Sequence, residues 1–216
     1  MQITSKNISV SKTARYFLSR TGFSRVNKIL FVLHGYGMPA LNFLQEFKKL
    51  ESENLLIISP EGLSRFYTKG FYGNIGASWM TSEDRENEIK DYVNYLDEVY
   101  KEVITNFENT PKVTLLGFSQ GGATASRWAV NGNVKADRLI IHSSDIPKDI
   151  NFEKMKTISD KLKINYIYGD EDKSVRKENY EKSIELLKEK NINFESDVFE
   201  GGHEVNIECV KKIIKF

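Results

Sequence analysis

The sequence predicts an α/β protein, a three-layer sandwich in which helices cover both faces of a doubly wound, mostly parallel sheet. The first sign is a set of continuous apolar runs, which are typical of strands buried on both faces. These runs occupy residues 28–34, 54–59, 112–117, 137–142 and 163–169. The second sign is that helical patterns separate the runs, so strand and helix alternate along the chain. Because the 216 residues contain no Pro/Ser-rich linker, we expect one domain, 1–216.

The N-terminal region predicts two short antiparallel strands at one edge of the sheet. Residues 3–10 and 15–20 partly alternate between apolar and polar side chains, which is a strand pattern. The same region has no apolar stretch long enough for a signal peptide or a membrane-spanning helix. The single cysteine, Cys209, excludes an intramolecular disulfide, and we expect it to be buried on the last helix. We therefore expect a cytoplasmic protein without stable membrane insertion.

The clearest helical pattern covers residues 84–107, where apolar side chains recur at spacings of three and four. Thr81 together with Asp84 is expected to cap its start. Further helices are predicted at about residues 39–50, 120–131, 176–190 and 203–214.

Residues 60–82 break the alternation of strand and helix. This segment has four glycines and five aromatic residues but no period. Long segments of this kind in compact domains are usually functional or disordered, and aromatic side chains gain too much from burial to remain in water. We therefore predict a packed loop beside the active site, in which Trp79 and Phe71 form an apolar wall for a substrate. The alternative is a loop whose packing is structural only.

Charge and motif content exclude several other functions. Lys and Arg total 31 against 30 Asp and Glu, so a net charge of +1 provides no strong field for nucleic acid. The three histidines lie in separate segments and no cysteine pair exists, so no metal site is predicted. No phosphate-binding loop motif is present either. We expect no cofactor and no nucleic-acid partner.

The strongest chemical signal is the stretch VTLLGFSQGGATASRW at residues 113–128. It places a Gly-x-Ser-x-Gly motif between a buried strand and a helix, as in a nucleophile elbow. Gly117 and Gly121 permit the sharp turn that would present Ser119 as a nucleophile at the carboxyl edge of the sheet. The backbone N–H of Gln120 would then donate to the oxyanion.

A serine nucleophile needs a histidine base, and three histidines are available. In this kind of fold the acid and then the histidine follow the serine along the chain, which favours His203 in the segment FEGGHEV. His34 is expected to order its own turn, and His142 to line or support the floor of the substrate pocket. The acid should follow the strand KINYIYG, where spacing alone does not separate Asp170, Glu171 and Asp172.

The second oxyanion donor should come from the turn HGYGM, which follows the first buried strand. The backbone N–H of Tyr36 is the candidate, and the N–H groups of Gly37 and Met38 are the alternatives.

Taken together, these motifs resemble the phospholipase/carboxylesterase family of α/β-hydrolases, which includes acyl-protein thioesterases and bacterial carboxylesterases. GFSQGG is the most specific segment, and HGYG stands where the family has an HG-x-G turn. The resemblance implies the α/β-hydrolase fold. It also assigns the acid to Asp172, the second Asp of the family's G-D-x-D-x-x-V turn, and an oxyanion amide to Tyr36. Arg176 departs from the proline that the family commonly has.

The expected function is therefore that of a serine hydrolase acting on esters or thioesters of short to medium acyl chains through an acyl-enzyme intermediate. Its partner would be a small-molecule or lipid-like ester, and a homodimer is left open. A peptidase on the same fold and a catalytically silent binding protein are the alternatives. The peptidase ranks lower because we recognise no lid or propeller domain that would select peptides. The binding protein ranks lower because serine, acid and histidine are all present.

Overall fold

The computed structural model describes residues 1–214, and a seven-stranded sheet lies at its centre. The strands of this sheet are β1 (Tyr16–Leu18), β2 (Lys28–Leu33), β3 (Leu55–Pro60), β6 (Lys112–Phe118), β7 (Arg138–His142), β8 (Lys163–Gly169) and β9 (Glu195–Phe199), and a separate hairpin contains β4 (Ser64–Tyr67) and β5 (Ile75–Ser78). The spatial order is β1-β3-β2-β6-β7-β8-β9. Every pair in this sheet is parallel except β1 with β3.

Helices connect the parallel strands, as crossover connections require. They are α1 (Ala40–Glu46), which continues into a 3-10 turn (Phe47–Leu50), α2 (Arg85–Ile104), α3 (Gln120–Asn131), α4 (Phe152–Ser159), α5 (Lys177–Glu189) and α6 (Ile207–Ile214). Two separate apolar clusters show which helices cover which face. One cluster joins the sheet to residues of α2, α3, α4 and α5, and the other joins it to α1 and α6.

Strand β2 illustrates why the central strands are apolar throughout. Ile29, Phe31 and Leu33 enter the cluster under α2 and α3, whereas Leu30 and Val32 enter the cluster under α1. Successive side chains of a strand point to opposite faces, so a strand covered on both sides has no exposed position to fill with a polar residue. The apolar runs of the sequence thus mark the parallel strands correctly.

The N-terminal prediction was partly wrong. Residues 3–10 form no strand and are exposed, so the predicted edge hairpin is absent. Strand β1 instead pairs with β3, which lies forty residues later, through contacts such as Phe17 opposite Ser59. A weak alternation in sequence becomes a strand only where another strand offers free backbone groups.

Four further features differ from the sequence-based prediction. Within residues 60–82 the chain forms the β4–β5 hairpin rather than an irregular loop. Helix α4 and strand β9 were not predicted, because α4 is short and β9 is exposed at four of five positions. The last helix begins at Ile207 rather than at 203, and Cys209 on it is only partly buried.

The start of α2 also differs in detail. Asp84 occupies the cap position with a positive φ of 48° and makes no side-chain cap hydrogen bond. Thr81 is instead held by Glu88 of the first turns of α2, which accepts from both its backbone N–H and its hydroxyl. The loop before α2 is therefore anchored by a carboxylate that reaches back from the helix.

Candidate active site

The site lies at the carboxyl edge of the sheet, where β2 and β6 are neighbours. From β2 the chain continues to β3 on one side, whereas β6 leads to β7 on the other. In open α/β sheets such a reversal leaves a crevice between the loops that follow the two strands, and ligands bind there. His34 follows β2 and Ser119 follows β6. The topology thus brings the HGYG turn and the Gly-x-Ser-x-Gly turn together.

Ser119 has backbone angles that side chains rarely adopt, with φ 55° and ψ −122°. Two glycines enclose it because the elbow leaves no room for a side chain at either position. A Cβ on Gly117 would lie 2.0 Å from the carbonyl oxygen of Gly121, and one on Gly121 would lie 2.1 Å from that of Leu33. The elbow is therefore packed tightly enough to hold Ser119 in a strained conformation.

Ser119, His203 and Asp172 form a continuous hydrogen-bonded chain. The Oγ of Ser119 lies 3.0 Å from Nε2 of His203. The Nδ1 of His203 lies 2.8 Å from Oδ2 of Asp172. Because a carboxylate accepts, Nδ1 carries the proton and Nε2 is free to accept from the serine hydroxyl. This arrangement is the one in which a histidine can take the proton of a serine.

The two aspartates that spacing could not separate occupy different environments. The side chain of Asp172 is fully buried, and its Oδ1 accepts from the N–H groups of Ser174 and Val175 at 2.8 Å each. Asp170 is exposed and accepts from the N–H of Gly201 at 3.0 Å. Asp172 thus contacts the imidazole, whereas Asp170 braces the neighbouring turn. Glu171 is also exposed.

Two backbone N–H groups beside Ser119 are available to an oxyanion. Gln120 is the first residue of helix α3. Neither its backbone N–H nor that of Tyr36 has an acceptor among residues 1–214. The alternatives are already engaged, because the N–H of Gly37 donates to Ala77 at 2.8 Å and that of Met38 to Gly35 at 3.2 Å. A Cβ on Gly35 would lie 3.2 Å from that of Ser119, so the HGYG turn packs directly against the serine.

His34 is buried and orders its turn. Its Nδ1 donates to the carbonyl of Gly35 at 2.8 Å, and its Nε2 accepts from the N–H of Gly62 at 2.9 Å. Burial lowers the pKa of His34 to about 4, although Gly35 and Glu61 act in the opposite direction. The ring is therefore neutral at pH 7, as an accepting Nε2 requires.

His142 occupies the supporting position and does not line a pocket. It is fully buried, and its Nε2 accepts from the N–H of Asn206 at 3.0 Å, three residues after His203. Burial and the neighbouring charge of His203 lower the pKa of His142 to about 3. A neutral His142 thereby ties the end of β7 to the loop that carries His203.

The predicted aromatic wall is not formed by the expected residues. Trp79 is 1% exposed; its indole stacks on His34 at 4.9 Å, and its N–H donates to the His34 carbonyl at 2.8 Å. Phe71 is 87% exposed in the connection between β4 and β5, so it encloses nothing. Trp79 thus packs against the HGYG turn and supports it. Phe71 projects into solvent because its hairpin connection has no neighbour to cover it.

A cleft of about 440 Å³ does adjoin the elbow, and none of its lining residues was predicted to form a substrate pocket. Its lining comprises Tyr36, Met80, Thr81, Ser82, Arg85, Gln120, Ala123 and Arg127. The side chain of Gln120 holds one wall in place, because its Oε1 accepts from the N–H of Trp79 at 3.1 Å and its Nε2 donates to the carbonyl of Met80 at 2.8 Å. The signal available in the sequence was Arg127, the one charged residue of helix α3.

Two further searches concern the described residues only. Within residues 1–214, no three His, Cys, Asp or Glu side chains are grouped in a way that could hold a metal ion. None of the helices in this range is both long and apolar enough to cross a membrane.

Comparison with known proteins identifies similar sequences and folds. The sequence matches the Phospholipase/Carboxylesterase family over residues 20–216. The structure is similar to that of acyl-protein thioesterase 2 from Zea mays, with 20% identity, coverage of 93% of this chain and 96% of that chain, and a TM-score of 0.70. A search of curated protein sequences found no significant match.

Two other solved structures are similar to the same extent. Esterase PE8 has 18% identity, coverage of 94% of this chain and 96% of that chain, and a TM-score of 0.68. The carboxylesterase of Bacillus cereus has 17% identity, coverage of 93% and 91%, and a TM-score of 0.66. At such identities the likeness concerns the fold, and it confirms the predicted α/β-hydrolase architecture.

Proposed function

Because the chain belongs to the phospholipase/carboxylesterase family, a family of hydrolases, we propose that it cleaves carboxylic esters or thioesters by a serine mechanism. The observation that carries this proposal is the hydrogen-bonded chain from Ser119 through His203 to Asp172, at 3.0 Å and 2.8 Å. Its position on a strained strand-to-helix turn supports the same assignment.

In the proposed first half-reaction, the Oγ of Ser119 attacks the acyl carbon while Nε2 of His203 takes its proton. The N–H groups of Gln120 and Tyr36 stabilise the oxyanion of the tetrahedral intermediate. Asp172 holds the imidazole in the required tautomer and stabilises the imidazolium. His203 then protonates the leaving alcohol or thiol, and an acyl-enzyme remains.

In the second half-reaction, His203 takes a proton from water, and the resulting hydroxide attacks the acyl carbon. Collapse of the second tetrahedral intermediate breaks the bond to Oγ, and His203 returns the proton to Ser119. The products are the free acid and the unchanged enzyme, so the cycle needs no cofactor.

The proposed substrate carries a short to medium acyl chain. The cleft beside the elbow has a volume of about 440 Å³, which is in the range of small-molecule sites. Met80 and Ala123 provide apolar surface there. A small-molecule or lipid-like ester fits this cleft, and no observation favours a peptide.

The test is hydrolysis of p-nitrophenyl esters from acetate to palmitate, together with the matching acyl-thioesters. We expect wild-type activity to peak at one short or medium chain length and to fall by at least about 10³-fold in Ser119→Ala. The matched control is Ser52→Ala, a serine in an exposed turn before β3, which should retain wild-type activity.

Labelling with a fluorophosphonate probe provides an independent readout, because it reports an activated serine without requiring the right substrate. Wild-type protein and Ser52→Ala should be labelled and Ser119→Ala should not. Absence of labelling and of hydrolysis in wild-type protein would contradict the proposal and favour a binding role on this fold.

A further inference from the structure

The cleft beside Ser119 has two arginines in its lining, Arg85 at the start of α2 and Arg127 on α3. We call this pair the arginine wall. Arg127 is only 5% exposed, whereas Arg85 is 41% exposed. A guanidinium remains charged even when it is buried, so this side of the cleft carries fixed positive charge.

One carboxylate holds both arginines. The Nε and Nη2 of Arg127 donate to Oδ1 of Asp149 at 3.1 Å and 2.8 Å. The Nη2 of Arg85 donates to Oδ2 of the same carboxylate at 2.8 Å. Burial would raise the pKa of Asp149, but the hydrogen bonds and charge of Arg127 and Arg85 outweigh this effect and lower it. The two guanidinium groups therefore share one carboxylate.

Arg85 also keeps hydrogen-bonding capacity. Asp149 accepts one hydrogen bond from Arg85. Within residues 1–214 the other acceptor for Arg85 is the weakly accepting sulfur of Met80, 3.7 Å from Nη1. A guanidinium has five N–H donors in a fork that matches a carboxylate, so donors remain for a ligand. Two of the carboxylates that flank Arg85 along the chain have other partners: Asp84 accepts from the side chains of Asn7 and Asn87, and Glu88 accepts from the N–H and hydroxyl of Thr81.

The arginine wall lies within reach of a substrate bound at Ser119. Gln120, Ala123 and Arg127 all line the cleft, and their spacing places them on one face of α3. Arg127 follows Ser119 by eight positions, about 12 Å along the helix axis. Helical side chains point back toward the N-terminus of their helix. Arg127 therefore lies on the cleft side of α3, with its side chain directed toward the end of the helix that follows Ser119.

We propose that the substrate is an anionic ester, in which a carboxylate a few bonds away from the scissile carbonyl binds to Arg85, with the charge of the buried Arg127 adding to the attraction. This inference rests on the serine-hydrolase function proposed above and specifies its substrate class. The carboxylate would approach Arg85 from the open side of the cleft while Asp149 keeps both side chains oriented. Wholly apolar acyl esters would offer no acceptor to the unused N–H donors of Arg85.

The test compares isosteric esters that differ only in charge. On the acyl side, monoethyl glutarate is compared with ethyl 5-oxohexanoate, in which a methyl ketone replaces the carboxylate. On the alcohol side, 4-acetoxybutanoate is compared with 5-acetoxypentan-2-one. Acid release is followed in a pH-stat, and the readout is the ratio of kcat/KM for the anionic ester to that for its neutral partner.

We expect this ratio to exceed ten for wild-type protein in at least one pair, which also identifies the part of the ester that carries the charge. Arg85→Gln should lower the ratio at least tenfold, because a charge-assisted hydrogen bond is lost. Arg85→Lys should retain part of it, since the charge remains without the fork. The control is Arg25→Gln, whose side chain pairs with Glu53 in an exposed ion pair and whose loss should not change the ratio.

The outcomes distinguish this inference from the function on which it rests. Hydrolysis of neutral esters with ratios near one in both pairs, or a ratio that Arg85→Gln leaves within twofold of wild type, overturns the anionic-substrate proposal alone. Failure of every ester together with absence of fluorophosphonate labelling overturns the serine-hydrolase proposal and this inference with it.

Discussion

At the scale of single residues, the three histidines occupy two kinds of environment. His34 and His142 are buried, and each accepts a backbone N–H through Nε2, so both are neutral connectors between segments. His203 is partly exposed and contacts Ser119 and Asp172 instead. The histidines differ in the hydrogen-bond partner of Nε2, which is a backbone N–H for His34 and His142 and a serine hydroxyl for His203. Only the third arrangement can pass a proton to a substrate.

Substitution of the two aspartates of the turn after β8 tests the proposed acid. We expect Asp172→Asn to lower kcat by about 10³- to 10⁴-fold, because an amide neither fixes the imidazole tautomer nor stabilises the imidazolium. Asp170→Asn is the matched control, since its amide oxygen can still accept from the N–H of Gly201. It should change kcat by less than about threefold. Steady-state kinetics on one ester decide the matter, and a reversed ranking would assign the acid to Asp170.

At the scale of elements, the junction of β6 and α3 is the most constrained part of the chain. Gly121 packs against the backbone of β2, and a Cβ on Gly122 would lie 2.4 Å from the Cβ of Ser144 after β7. The elbow helix therefore approaches two neighbouring strand ends more closely than any side chain would allow. The glycines of the motif are thus required by packing as well as by the turn itself.

Gly121→Ala tests this packing. The new methyl group would lie 2.1 Å from the carbonyl oxygen of Leu33, and backbone on both sides must move to relieve the overlap. We expect a loss of about 3 kcal/mol in the free energy of unfolding, measured by urea denaturation. The control is Gly22→Ala, where nothing lies within 4 Å of the added carbon and the change should be within about 0.5 kcal/mol. Equal losses in both variants would contradict the packing argument.

At the scale of the whole molecule, the buried histidines couple stability to pH. Burial lowers the pKa of His34 to about 4 and that of His142 to about 3, against about 6.5 in an unfolded chain. Between these values and pH 6.5 the unfolded chain binds more protons than the folded one, so the folded state loses stability as pH falls. Above about pH 7.5 both rings are neutral in both states and contribute almost no slope.

We therefore expect the free energy of unfolding to fall by about 2 kcal/mol per pH unit between pH 6 and pH 5, where each of these two histidines binds nearly one proton more in the unfolded chain than in the folded one. Urea denaturation at a series of pH values measures the slope. The comparison variant is His142→Gln, whose amide oxygen can accept from the N–H of Asn206 without titrating. Its slope should be smaller by about 1 kcal/mol per pH unit. An unchanged slope would show that other groups cause the pH dependence.

Some features of this protein could be read from the sequence because their cause is local. Continuous apolar runs occur wherever a strand is covered on both faces, and the glycines around Ser119 are required by the turn in which they lie. The alternation of the central strands with helices followed from these patterns, whereas the α/β-hydrolase fold was implied by the family resemblance. The choice of Asp172 over Asp170 did not, because it came from a family resemblance, and both residues fit the spacing equally well.

Other features were decided only by tertiary structure, because they depend on segments that are distant along the chain. Strand β1 exists through pairing with β3, and residues 3–10 lack such a partner. Trp79 was predicted to face a substrate, but folding places it beneath His34, and the cleft is lined instead by Arg85 and Arg127. Periodicity indicates that a side chain will be buried or exposed, but not which distant group it will contact. The sequence by itself therefore determined the scaffold and the candidate nucleophile, and the packing of helices α2 and α3 against the sheet decided the surroundings of that serine.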